Sequence, residues 1–176
     1  TNIPIQQRYI FANEKKITFW KKQLNNKKLK IGINWYGSKD DKSFKLNNFK
    51  KIAELPNVQL ISLQKGESEK DLKNVDFPIK SFDGEIDNDG DAFVDTAAII
   101  VNCDLIITCD TSIAHLSGAL GKKTWIILKK IPDWRWMLNR SDTPWYKNAI
   151  LFRNTNIKNW KPVFDKIYKK IKTNDI

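Results

Sequence analysis

The residues best suited to chemistry lie in one run, Leu105–Trp125, which reads "LIITCDTSIAHLSGALGKKTW". Asp110, Thr111 and Ser112 stand between a short apolar stretch, typical of a buried parallel strand, and a stretch with helical spacing of apolar residues. His115 is the single histidine of the chain, and it follows Thr111 by four residues, on the same helical face. Because the first turn of a helix has free N–H groups that bind anions, this run predicts a phosphate site.

The same run also fits a plain strand–helix unit in which Thr111 or Ser112 caps the helix, and the residues alone leave both interpretations open. Gly121 follows the last helical residue, as a left-handed cap requires. A carboxylate repels phosphate, so we expect Asp110 to orient the loop, or to hold His115 protonated or in one tautomer. Neither the glycine-rich dinucleotide and P-loop patterns nor the G-x-S-x-G elbow of serine hydrolases is present.

Strand-like and helix-like stretches alternate along the chain. The predicted strands are 29–35, 58–63, 78–82, 105–109, 123–128 and 149–152, and the predicted helices are 13–24, 46–55, 93–101, 113–120 and a last one capped by Asn159. This alternation predicts an α/β, Rossmann-like parallel sheet with helices on both faces. Ligands of such sheets bind beyond the carboxyl ends of the strands, so we expect four loops to converge on one crevice. They are 36–45, 64–70, 110–115 and 129–145.

Two of these loops carry further candidate residues. Lysine at the carboxyl end of a strand can neutralise a pyrophosphate, although a solvated lysine-rich loop is the alternative. Gln64 and Lys65 follow the second strand directly, and Gly66 would let a ligand approach the backbone. The loop after the first strand contains Ser38, Lys39, Lys42, Ser43 and Lys45.

Three other features have two interpretations each. The acidic loop 83–91 resembles a calcium loop at Asp87, Asp89 and Gly90, but threonine stands where the twelfth position needs glutamate, so we expect an exposed turn. Asp95 and Thr96 form either a helix start or the polar face of a helix. Tryptophans surround Arg135 and form either a stacking rim for a base or a lid over the core. They are Trp134, Trp136 and Trp145.

The composition sets outer limits on function. The net charge of +11 comes from 27 Lys but only 4 Arg, and the lysines are scattered, so we predict no nucleic-acid partner and a general attraction to anionic ligands or an acidic membrane surface. Cys103 and Cys109 are expected to be small buried thiols, which favours a reducing compartment and no structural zinc site. No signal peptide is evident. The opening "TNIPIQQRYI" lacks a starting methionine, so we expect an excised piece of a longer protein.

Four blocks together resemble a known family. The chain is similar to the C-terminal, donor-binding half of GT-B glycosyltransferases, and more narrowly to glycosyltransferase family 9, the ADP-heptose:lipopolysaccharide heptosyltransferases, of the kind attached to tetratricopeptide repeats. The Asp-Thr-Ser-x-x-His block is the specific one, and the likeness covers roughly Lys30 to the C-terminus. The blocks are "IGINWYGSKDDKSFKL", "VQLISLQKG", "FVDTAAIIVNCDLIITCDTSIAHLSGALGKKTW" and "PDWRWMLNRSDTPWY".

The resemblance implies which residues bind the donor. The family motif D-[TS]-x-x-x-H holds the donor diphosphate, and a basic residue after the first strand, here Lys42, also contacts phosphate. With the neighbouring loop residues, the predicted nucleotide-sugar-binding set is Asp110, Thr111, Ser112, His115, Lys42, Gln64, Lys65, Trp35 and Gly37. Lys45 and Lys123 stand where the family often has proline, which affects turn geometry only.

The resemblance also implies the reaction and its setting. It implies inverting transfer from a nucleotide-diphosphate sugar, with no metal and no cofactor, in which His115 and Lys42 stabilise the leaving group. The catalytic base belongs to a preceding half, so residues 1–28 would be a helix and linker from that half, and 29–176 the donor domain. The implied partners are the donor, the N-terminal half, tetratricopeptide repeats and an acceptor glycan, lipid or protein in lipopolysaccharide or glycan biosynthesis. The implied location is cytoplasmic, with the inner face of the membrane as one option.

Two rival functions stay open on the sequence. The first is a non-catalytic binding module, a degenerate glycosyltransferase fold that uses the same crevice for other contacts. The second is a nucleic-acid binder, which only the net charge suggests.

Overall fold

The computed structural model describes residues 8–38, 40–82, 84–88, 90–156 and 159–176. The described strands form one six-stranded sheet, in which every pairing is parallel and the order is β3-β2-β1-β4-β5-β6. This is the Rossmann strand order, so the predicted Rossmann-like α/β fold is confirmed. The strands are β1 Leu29–Asn34, β2 Val58–Ser62, β3 Ile79–Lys80, β4 Leu105–Cys109, β5 Thr124–Leu128 and β6 Ala149–Arg153.

Helices cover both faces of the sheet. The α-helices are α1 Glu14–Gln23, α2 Lys50–Ala53, α3 Val94–Asn102, α4 Ser112–Ala119 and α5 Lys161–Lys172. The predicted helix 46–55 begins as a 3-10 turn, Leu46–Phe49, and only then continues as α2. Gly121 has the predicted left-handed backbone, with a φ of +73°. Trp160 rather than Asn159 occupies the cap position of α5, although the Asn159 side chain still accepts a hydrogen bond from Lys161 N.

The core has one layer on each face of the sheet because successive strand residues point to opposite sides. One layer packs Ile31, Ile33 and their neighbours against α5 and α2. The other packs Ile61 and Ile106 against α1 and α3. Gly32 makes this second layer possible, since a Cβ there would lie 2.7 Å from Ile106 Cδ1. A smaller cluster lies under α4 and the loop after β5, and it includes Ala114, Ile126, Trp136 and Tyr146.

Helix α1 packs against α3 and belongs to the same core. Trp20 is 2% exposed, and its Nε1 donates a 2.7 Å hydrogen bond to Asp95 Oδ1. Lys16 Nζ lies 3.0 Å from the same oxygen. Burial alone would raise the pKa of Asp95, but the hydrogen bonds from Trp20 and Lys16 outweigh it, and the pKa lies below its usual value. Residues 1–7 of the predicted linker lie outside the described residues.

The acidic loop is not simply an exposed turn. Asp87 is half-buried, and its carboxylate accepts hydrogen bonds from the backbone N of Asp95 at 2.7 Å and of Thr96 at 3.2 Å. Asp87 therefore caps α3 from a distance, and Asp95 and Thr96 are buried at the helix start. Asp89, the other acid of the calcium-like pattern, lies outside the described residues.

Two features are absent from the described part of the chain, and the two cysteines in it are unpaired. It contains no group of three or more His, Cys, Asp or Glu side chains placed to hold a metal ion. No helix within it has the length and apolar character needed to cross a membrane. Cys103 and Cys109 are free and buried as predicted, and burial raises the pKa of each thiol to about 12.

Candidate functional site

A cleft of about 1070 Å³ lies at the carboxyl ends of β1 and β4. The strand order reverses between these two strands, and such a switch point is where open α/β sheets bind ligands. Residues from the loops after β1, β2, β4 and β5 line the cleft, so the predicted convergence of four loops is confirmed. Of the predicted site residues, the lining includes Gly37, Lys42, Gln64, Lys65, Asp110, Thr111, Ser112 and His115.

Two side-chain amides form the floor of the cleft. Asn34, only 4% exposed, accepts a 2.8 Å hydrogen bond from Thr111 Oγ1 at its Oδ1 and donates from Nδ2 to Gln64 Oε1 at 2.9 Å. Gln64 Oε1 also accepts from Tyr36 N at 3.0 Å. The amides thus tie together the ends of β1, β2 and β4. Sequence reasoning missed Asn34, although a lone polar residue ending an apolar strand was a usable signal.

The turn from β4 into α4 leaves donors unused. Thr111 holds the N-cap position of α4, yet its side chain makes no capping hydrogen bond because it donates to Asn34 instead. Thr111 thus occupies the predicted N-cap position without capping the helix through its side chain. Among the described residues, the backbone N–H groups of Ser112 and Ile113 and the exposed Ser112 hydroxyl have no hydrogen-bond partner. Gly37 lets the neighbouring loop approach this turn, since a Cβ there would lie 3.1 Å from Thr111 Cγ2.

His115 is fixed by two aromatic side chains rather than by Asp110. Its Nδ1 lies 2.8 Å from the Tyr146 hydroxyl, and its ring stacks on Trp136 with centroids 5.1 Å apart and planes inclined by 20°. Asp110 Oδ1 instead accepts a 2.9 Å hydrogen bond from Trp136 Nε1, so this carboxylate anchors the loop after β5.

Two opposing effects act on the protonation of His115. Burial lowers the pKa of His115 below its ordinary value, although the Asp110 carboxylate opposes the shift. Asp110 therefore favours the protonated form of His115, as one expectation had it, but burial has the larger effect on the pKa. Nε2, the second ring nitrogen, has no hydrogen-bond partner among the described residues.

The tryptophans divide between the two interpretations. Trp136 is fully buried and forms part of the lid over α4, whereas Trp134 is 70% exposed. The Arg135 guanidinium lies over the Trp134 ring, 5.1 Å from its centroid, and also pairs with Asp133 at 2.7 Å. Trp145 meets Trp134 edge to face. Trp136 therefore belongs to the lid of one interpretation, whereas Trp134 lies on an exposed rim, as the other interpretation expected.

The predicted lysines have unequal freedom. Lys42 is half-buried at the cleft, and its Nζ has no hydrogen-bond or ion-pair partner within the described ranges. Lys65 Nζ donates to the Ile86 carbonyl and is tethered there. Lys45 is exposed and does not line the cleft. Lys39 lies outside the described residues.

Trp35 does not reach the cleft, so its predicted direct contact with the donor is wrong for this arrangement. The side chain is fully buried in the core layer beneath α5, since the chain still alternates just after β1. Its Nε1 donates a 2.9 Å hydrogen bond to Asp71 Oδ2. Trp35 therefore supports the loop that follows β2 instead of lining the site.

No protein-family model and no curated protein matches the sequence. Solved structures match its fold: Escherichia coli ADP-heptose lps heptosyltransferase II gives a TM-score of 0.66 at 11% identity, covering 95% of this chain and 54% of that chain. The glycosyl transferase family 9 structure from Veillonella parvula DSM 2008 gives 0.63 at 12% identity, covering 96% and 46%. E. coli heptosyltransferase WaaC with ADP gives 0.62 at 14% identity, covering 90% and 48%.

These similarities define a class of fold. The chain has a Rossmann-like fold, one parallel sheet with flanking helices, that is also present in the heptosyltransferase and glycosyl transferase family 9 structures. It spans about half the length of each of those chains.

Proposed function

We propose that the cleft binds a nucleotide-diphosphate sugar and that the chain is the C-terminal, donor-binding half of an inverting GT-B glycosyltransferase. The observation that carries the proposal is the set of unused donors at the switch point. It consists of the first-turn N–H groups of α4, the Ser112 hydroxyl, His115 Nε2 and Lys42 Nζ. A helix N-terminus with nearby cationic and neutral donors suits a diphosphate.

These donors suit the charge that develops during inverting transfer. An acceptor hydroxyl oxygen forms a bond to the anomeric carbon while the bond from that carbon to the diphosphate oxygen breaks. The departing nucleoside diphosphate gains negative charge, and Lys42, His115 and the α4 amides would stabilise it. This scheme places positive charge at the leaving group without calling on a metal or a cofactor.

The base that takes the acceptor proton is proposed to lie in a preceding half, as the family resemblance implies. Asp110 is the obvious carboxylate in the cleft, but its Oδ1 is already engaged by Trp136 Nε1. We therefore expect this chain to bind donor weakly and to transfer nothing alone. Tetratricopeptide repeats, an acceptor glycan, lipid or protein, and a cytoplasmic site at or near the inner membrane face complete the proposal.

Nucleotide titration tests the proposal directly. We expect ADP, UDP or GDP at millimolar concentration to shift the amide NMR signals of residues 110–115, with ADP tested first because WaaC is solved with ADP. If none of the three perturbs these residues, the donor-site proposal fails and the non-catalytic binding module is favoured.

Duplex DNA supplies the opposing test. Micromolar DNA binding at physiological salt that an excess of nucleoside diphosphate does not reduce would instead support a nucleic-acid binder.

A further inference from the structure

The environment of His115 depends on a close contact one turn further along α4. Tyr146 is 8% exposed, and its ring lies against Gly118, where a Cβ would be 2.3 Å from Tyr146 Cγ. Real Cβ atoms do not approach a ring that closely, so glycine is what allows the phenol to lie over the helix. From there its hydroxyl reaches His115 Nδ1 at 2.8 Å.

Elementary acid–base chemistry gives this hydrogen bond a direction. A phenol O–H is a stronger acid than a neutral imidazole N–H, and an unprotonated imidazole nitrogen is a stronger base than a phenol oxygen. The favoured arrangement therefore has Tyr146 donating to Nδ1. Burial and the neighbouring Tyr9 both raise the pKa of Tyr146, so the phenol keeps the proton that it donates to His115.

The direction fixes where the imidazole proton lies. If Nδ1 accepts, a neutral ring carries its hydrogen on Nε2, the nitrogen without a protein partner among the described residues. The ring is favoured in its neutral form because burial lowers the pKa of His115. Trp136, stacked on the ring, limits its rotation away from this position.

We propose that Tyr146 is a positioning residue whose hydroxyl holds His115 as the neutral Nε2–H tautomer, so that the cleft receives a hydrogen-bond donor. The opposite tautomer would turn a lone pair toward an anionic oxygen and repel it. The tautomer follows from the protein alone, whereas its use on a diphosphate rests on the proposed function.

The single histidine makes the tautomer directly observable. In the ¹⁵N-labelled protein without ligand near neutral pH, we expect one imidazole with Nε2 protonated and Nδ1 unprotonated. Tyr146→Phe keeps the ring over Gly118 but removes the hydroxyl, so the two nitrogen resonances should move toward each other as the tautomers exchange. Tyr168→Phe removes a hydroxyl on α5, away from the cleft, and should leave both resonances unchanged.

Binding measurements test how Tyr146 acts. We expect Tyr146→Phe to weaken ADP binding about three- to tenfold, the range for one neutral hydrogen bond, while Tyr168→Phe has no effect. In a His115→Ala background, Tyr146→Phe should cause no further loss because the hydroxyl acts only through the imidazole.

Four results would decide against this inference. They are an Nδ1–H tautomer or an imidazolium in the free protein, nitrogen resonances that Tyr146→Phe leaves in place, and additive losses of binding in the double variant. If the unmodified chain binds no nucleotide, the proposed function fails, and the spectra of the free protein still test the role of Tyr146.

Discussion

The cleft has two sides, here called banks: one is formed by the start of α4 with Asp110, Thr111 and His115, and the other by the loop after β1 with Lys42. Their side chains are held in opposite ways. On the α4 side, Thr111 is bonded to Asn34, Asp110 to Trp136 and His115 to Tyr146. On the other side, Lys42 stands at the end of a short 3-10 turn with its Nζ unpartnered in the described structure. The α4 bank has lost its side-chain freedom during folding, whereas Lys42 must lose its freedom when a ligand binds.

This contrast predicts that substitutions on the two banks have different effects. A substitution on the α4 bank removes contacts within the protein as well as contacts to a ligand. Lys42 has no hydrogen bond or ion pair within the described residues, so its substitution should affect the proposed ligand contact and little else. Stability and binding should therefore change together on one bank and separately on the other.

The largest effect is expected for Gly118→Ala. The new Cβ would collide with the Tyr146 ring, so the α4 bank must shift, and overpacking of this kind costs about 1–3 kcal/mol of unfolding free energy. A thermal melt should show a Tm lower by several degrees, together with weaker nucleotide binding. In a Tyr146→Ala background the same substitution should add little further cost. An unchanged Tm in the single variant would show that the ring moves aside freely.

His115→Ala and Lys42→Ala compare the two banks directly, one substitution on each. Each should weaken nucleoside-diphosphate binding about tenfold, or about 1.4 kcal/mol, because each removes one hydrogen-bond donor to the diphosphate. Only His115→Ala should also lower the Tm, since it removes the Trp136 stack and the Tyr146 hydrogen bond. Calorimetric titration and a melt on the same samples measure both quantities. Equal Tm losses in the two variants would remove the distinction between the banks.

A smaller effect is expected in the pH dependence of stability. The lowered pKa of His115 means that the unfolded chain takes up a proton at a higher pH than the folded chain. This contribution to stability is present above the unfolded pKa and is lost as pH falls from there to the folded pKa. The negative charges of Asp110 and Asp133 raise the pKa of His115 and oppose the shift. The positive charges of Arg135 and Lys42 lower this pKa, as burial does. In urea unfolding between about pH 7.5 and 5, the free energy of unfolding of His115→Gln should fall less steeply with decreasing pH than that of the unmodified chain. An identical pH dependence in the two proteins would contradict this prediction.

The smallest effect on binding is expected for Lys65→Ala. Its ammonium is tethered to the Ile86 carbonyl, and release from that bond would offset much of any contact with a phosphate. We expect the dissociation constant to rise less than about threefold, within one ordinary hydrogen bond. A tenfold rise would move Lys65 into the same group as Lys42.

The fold and the position of the site were predictable because both depend on local signals. Apolar periodicity gave the strands and helices to within a few residues, and parallel strands place their carboxyl ends at one edge. The partners of the site residues were not predictable in this way. His115 meets Tyr146 across 31 residues, and Thr111 meets Asn34 across 77. Trp35 failed as a site residue because residue type and loop position do not reveal which side of an extended segment faces the core.

The amide floor of the cleft also fixes when the site can form during folding. Asn34 joins Gln64, 30 residues away, and Thr111, 77 residues away, so these bonds need β1, β2 and β4 already side by side. Contacts of such sequence separation form late because the intervening loops must close first. A chain with α4 formed but the sheet unassembled would lack the floor that aligns the free amides. The proposed nucleotide binding would therefore require the assembled sheet, and a bound nucleotide would stabilise the folded chain relative to the unfolded one.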